Sequence, residues 1–276
     1  LGGGNALHPV EKKDPKGLGG VLMHVFCYAV VAISLLPQIY IVYVSFRNSK
    51  MGVFQEGYSL ANYKAALNKL LLRATGNTVV MGVIALAAII LLAIMISYLV
   101  VRRPNFINHS IDTISMMPYI MPGSVIAIAL VIGFGKKPLV LTGTLAIMII
   151  AVIIRRLPYT TRSATATLIQ IPLSIEEASI SLGASKMKTF FRITVPMMSS
   201  GIISGAILSW VSIVTEVSSA AILYNNRSIT LTVGTYTAVA RGNFGEAAAF
   251  AAVTTVLTAI SLMVYMRINR GREIQM

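Results

Sequence analysis

The run 78–101 contains no charged side chain. It is long enough to cross a bilayer as a helix, which takes about 20 residues. Further apolar runs follow the same plan at 21–46, 113–134, 139–154, 201–224 and 247–266. The chain is 56% hydrophobic and 12% charged, a balance that leaves too little polar surface for a soluble domain of this length. In lipid each backbone polar group must be satisfied within its own segment, so such runs must be helices. The expected fold is therefore all-α and polytopic, with six transmembrane helices preceded by a flexible lead-in at 1–20.

Charge sits at the ends of these runs. Lys12, Lys13 and Lys16 precede the first, Arg102-Arg103-Pro104 follows the second, Arg155-Arg156 ends the fourth, and Arg267, Arg270 and Arg272 follow the last. The positive-inside rule then places both termini and the long polar stretch 157–196 in the cytoplasm. The net charge of +14 is accounted for by these flanks and gives no reason to expect nucleic acid as a partner. The single cysteine, Cys27, excludes an internal disulfide framework. Outside the runs, residues 59–67 are expected to form a short amphipathic helix at the membrane surface.

Within 157–196, Pro172 stops any helix arriving from upstream. Ser174 is expected to cap a new helix, with Glu177 three residues later completing a capping box. Gly183 supplies the left-handed residue that ends it. A second helical run, 186–195, leads to Pro196. The pattern Glu177-Ala178-Ser179, then Gly183, then Ile193-Thr194-Val195-Pro196 resembles the coupling-loop signature of bacterial binding-protein-dependent ABC importer permeases. Ser179 stands where that signature has alanine and Val195 where it has leucine.

The resemblance implies a type I (MetI-like) transmembrane domain across 21–276 in the bacterial inner membrane. It assigns coupling to an ABC ATPase subunit to Glu176, Glu177, Ala178, Ser179, Gly183, Ala184, Ile193 and Pro196. It further implies a second permease unit, either a second copy or the other half of a fused chain, and an extracytoplasmic substrate-binding protein. The stretches 156–163, 215–224 and 242–248 are similar to the ferric-iron permeases of that family, which implies ferric iron as cargo. Permeases for polyamine, thiamine, sulfate or phosphonate share the same skeleton. The Leu1 start and basic lead-in would suit the second half of a fused permease.

Other residues are weighed on their own chemistry. Glu216 is the one acid deep in an apolar run, where a carboxylate is costly and must face protein or water. It is read as lining a translocation path with Ser219, as an interhelical pin, or as a proton-coupling group in an ion-coupled secondary transporter. Pro118 and Pro122 free backbone carbonyls within the third run, which suits either a path or a packing kink. The stretch 133–137 lacks the spacing and hydroxyl of a phosphate-binding loop, so ATP hydrolysis is expected in a separate subunit. His8, His24 and His109 show no ligand spacing, and neither a metal site nor a cofactor is expected.

Overall fold

The computed structural model describes residues 17–50 and 52–273. Helix α1 (Leu18–Ser45) leads into an antiparallel hairpin of β1 (Arg47–Lys50) and β2 (Val53–Tyr58). Helices α2 (Ala61–Lys69), α3 (Leu71–Arg102), α4 (Phe106–Ile120), α5 (Gly123–Phe134) and α6 (Leu145–Gln170) follow. The polar stretch contributes α7 (Leu173–Ser181), α8 (Lys186–Thr189), a π-helical turn (Phe190–Thr194) and α9 (Val195–Met197). The chain continues through α10 (Ser199–Val214), α11 (Ala220–Leu223), α12 (Leu231–Ala240) and α13 (Phe244–Glu273).

Helices α3, α6 and α10 form the centre. One face of α3 is a stripe of mostly small residues, Ala74, Thr78, Gly82, Ala85, Ala93 and Ser97, all buried. Small residues let helix backbones approach closely where lipid supplies no hydrophobic drive between helices. Buried Gly201, Gly205 and Ser209 present the same spacing on α10. A β-carbon at Gly205 would lie 2.6 Å from the Cα of Thr160 and 3.0 Å from the Tyr159 carbonyl oxygen, both on α6. Gly205→Val is therefore expected to force α10 off α6 at a cost of about 1–3 kcal/mol, measurable as an earlier thermal transition of the purified protein in detergent. The outward faces keep Leu91, Met95 and Ile132 exposed, as a lipid-facing surface requires.

Three helices, α1, α3 and the first part of α13, are long and apolar enough to cross a membrane, and up to five spans result if each bent pair counts as one. The chain is thus a multi-pass helical membrane protein, and the even six-span layout is not reproduced in detail. The third run is two helices, α4 and α5, meeting at 110°. Met121 and Pro122 are extended at this corner, because the residue before a proline is driven out of helical geometry. Pro118 is absorbed inside α4.

The fourth run does not stop at Arg155-Arg156. Helix α6 continues through both arginines and through Pro158 to Gln170, roughly 39 Å in all. The fifth run ends at Val214, and the chain breaks before the single turn of α11. The hairpin and α12 had no counterpart in the sequence reading, whereas the surface helix expected at 59–67 is α2. Buried Thr78 accepts a hydrogen bond from the Leu231 N–H at 2.9 Å, and Asn77 donates to the carbonyls of Arg227 and Ile229, so α12 is fastened to the end of α3. Helix α1 begins at Leu18; most of the expected lead-in, with His8, lies outside the described residues.

Candidate functional site: an elbow and a buried arginine pair

The elbow is built from α7, Gly183 and α8. Pro172, not Ser174, occupies the N-cap of α7, and no side chain caps this end. Ser174 falls inside the first turn because Pro172 has a fixed φ that ends the preceding segment and opens the next helix two residues early. The capping box with Glu177 is therefore absent.

The other end of α7 follows expectation. Gly183 has φ +89°, and its N–H bonds to the Ile180 carbonyl at 2.9 Å, while the Ala184 N–H reaches the Ser179 carbonyl at 3.1 Å. This pair of bonds is the Schellman closure, which needs a left-handed residue and so favours glycine. The Ser179 hydroxyl also meets the Thr189 hydroxyl at 2.9 Å, which ties α7 to α8. Ser185 caps α8 through the Lys188 N–H.

Two adjacent glutamates face opposite ways. Glu176 is buried and accepts from Arg102 Nε at 2.8 Å, at the end of α3. Glu177 and Ala178 are exposed. Around them Ile180, Leu182, Met187 and Phe191 are exposed as well, Leu182 to 89%. Ile193 lies in the π-helical turn and Pro196 is exposed within α9. The eight residues that the resemblance assigns to coupling thus lie along one continuous stretch from α7 to α9, with Glu177 turned to the outside and Glu176 turned inward to α3.

The second site is a buried ion cluster. Arg155 Nη1 donates to Glu216 Oε1 at 2.6 Å, and Arg156 Nη2 donates to Glu216 Oε2. Glu216 Oε1 also accepts from the Ser219 N–H at 2.9 Å and from the Ser219 hydroxyl at 3.1 Å. The Glu216 side chain is 1% exposed, and the two arginines 14% and 16%. The cluster closes the break between α10 and α11 onto the middle of α6. Ser209 of α10 donates to the Arg156 carbonyl, and Thr232 of α12 donates to the Glu216 carbonyl.

The sequence reading had placed Arg155 and Arg156 at a cytoplasmic span end and missed this pairing. A lone acid in one apolar run and a basic pair flanking another were the available signal, since each needs a partner to lie in the membrane.

Beside the cluster a cleft of about 670 Å³ is lined by Tyr119, Ile120, Pro158, Tyr159, Arg162 and Ser163, among others. The rings of Tyr119 and Tyr159 meet edge to face at 5.6 Å, and Arg156 lies over the Tyr159 ring. Arg162 pairs with Asp112 at 3.4 Å. Pro118 is half-buried in α4 and Pro122 is exposed at the corner, while Glu216 and Ser219 face the arginine pair. Among the described residues, no three His, Cys, Asp or Glu side chains come together as a metal site.

Residues 89–272 match the family described as binding-protein-dependent transport system inner membrane component. The chain belongs to this family. This stretch takes in the elbow, the arginine pair and Glu216. Among relatives of the inner membrane component, the ferric transport system permease protein FbpB of Actinobacillus pleuropneumoniae is 30% identical over 66% of this chain. The alignment spans 26% of that protein's own length. The molybdate/tungstate transport system permease protein WtpB of Pyrococcus furiosus is 26% identical over 79% of this chain and 87% of its own. A solved bacterial ABC transporter involved in the import of the acidic polysaccharide alginate superposes with a TM-score of 0.68 at 16% identity, covering 91% of this chain and 96% of that one. The inner membrane component thus has an ABC importer permease fold.

Proposed function

We propose that this permease conducts ferric iron across the inner membrane, powered by a separate ABC ATPase that docks on the elbow. The observation that carries the docking is the exposure of Glu177, Ile180, Leu182, Met187 and Phe191 along the stretch that turns at Gly183. An amphipathic helix with apolar anchors is the form that fits a groove on a partner. ATP is hydrolysed in that subunit, and an extracytoplasmic binding protein delivers the cargo. A second permease unit completes the path, and both termini lie in the cytoplasm.

Iron is supported by the ferric relative, at the identity given above. A competing cargo, an oxyanion, is favoured by a different observation. Two guanidiniums share one carboxylate beside the cleft, while Arg162 is balanced by Asp112, and this one surplus positive charge suits an anion better than a cation.

The test is uptake into proteoliposomes holding the permease, its ATPase and its binding protein. Radiolabelled ferric iron should accumulate with ATP, and molybdate and phosphonate should not compete. Accumulation of either oxyanion in its place would replace iron as the cargo while leaving the ATP-driven reading intact.

A further inference from the structure

We propose that Arg102 and Glu176 form a strut that fixes the elbow to α3, making both of them positioning residues for transport. The proposal rests on the reading of the elbow as the ATPase dock. Arg102 is the last residue of α3 and Glu176 lies in the first turn of α7. The guanidinium donates through Nε to Glu176 Oε1 at 2.8 Å and through Nη2 to the Ile171 carbonyl at 2.8 Å. One planar fork thus holds both the helix and the residue just before Pro172. The two side chains are 9% and 8% exposed.

Ile171 is itself buried in a small core with Ala164, Leu168, Met198 and Ile202, against which Ile94, Tyr98 and Val101 of α3 and Ile175 of α7 pack. The ion pair therefore sits beside a packed cluster to which the neighbouring Val101, Ile171 and Ile175 belong. Removing one partner would leave the other charge buried without a counterpart.

The division of labour between neighbours follows. Glu177 faces outward to a docked subunit, and Glu176 faces inward to a central helix. A push on the elbow is delivered to α3, which packs along α6, the helix that carries the arginine pair. Force from outside the membrane thus has a short, hydrogen-bonded route into the helices that surround the cleft.

Two measurements on the assembled transporter test this. In Glu176→Gln, ATPase should still co-purify and hydrolyse ATP, while uptake per ATP should fall by about tenfold, because Gln still accepts from Arg102 but no longer as a charged partner. Unchanged uptake per ATP in Glu176→Gln would overturn the strut. So would loss of ATPase binding in that variant, while normal ATPase binding by Glu177→Lys would instead overturn the docking reading.

The second measurement needs no cargo. With Cys27→Ser as background, nitroxides at Ser174→Cys and Leu91→Cys report the elbow-to-α3 distance, both sites being exposed. That distance should stay constant between nucleotide-free and ATP-bound complexes, and should change with nucleotide in Glu176→Gln. A distance that changes equally in both proteins overturns the proposal.

Discussion

Replacing Glu216 by alanine is expected to destabilise the folded chain by about 3–5 kcal/mol, the cost of stripping one partner from a buried ion pair. The carboxylate is almost fully buried and is shared by Arg155, Arg156 and Ser219. Its loss leaves two guanidiniums facing an apolar interior. A sharply lower thermal transition in detergent, with poor recovery of intact protein from membranes, is the measurement. Glu216→Gln keeps an acceptor for Ser219 and should fall between wild type and alanine. Replacing Arg155, Arg156 and Glu216 together by methionine should restore much of the stability, since apolar substitutes of similar volume often match a buried charge cluster. An alanine variant that melts like wild type yet transports nothing would mean that the carboxylate acts on cargo and is not a pin.

Gly183→Pro is expected to abolish ATP-driven uptake. Proline fixes φ near −65° and has no N–H, whereas Gly183 sits at +89° and donates to the Ile180 carbonyl. The closure of α7 would be lost, at a cost of about 3 kcal/mol or more if the backbone resists the change, and α8 would leave its place beside Ser179. The effect should be local, because a β-carbon at Gly183 meets nothing within 4 Å. The variant should therefore purify normally without its ATPase. Co-purification at the wild-type level with normal uptake would refute the elbow as the dock. Gly183→Ala, strained by only about 1 kcal/mol, should keep part of the activity.

The two sites were not equally legible. The elbow could be read because its signals are local: a proline, a glycine and a run of apolar residues lie within a few positions of each other. The starting residue was misplaced, and with it the capping box, since Ser174 and Pro172 both suit an N-terminus and the fixed φ of proline prevailed. The ion cluster could not be read because Arg156 and Glu216 are separated by 60 positions, and periodicity says nothing about pairs so distant. Two arginines beside an apolar run suggest a membrane boundary, so a helix passing straight through them was missed. The corner at Met121-Pro122 had a local signal, the proline, but the 110° angle depends on what α4 and α5 pack against.

Helix α6 has a bearing on how the chain is made. Ribosomes deliver Arg155 and Arg156 to the membrane long before Glu216 is synthesised, and a helix with two unneutralised guanidiniums near its middle partitions poorly into hydrocarbon. Insertion of this segment is therefore expected to wait until its counter-charge emerges, with α6 and α10 entering the bilayer together. Chains halted before residue 216 should leave α6 open to added protease in membrane vesicles, and chains halted beyond α10 should protect it.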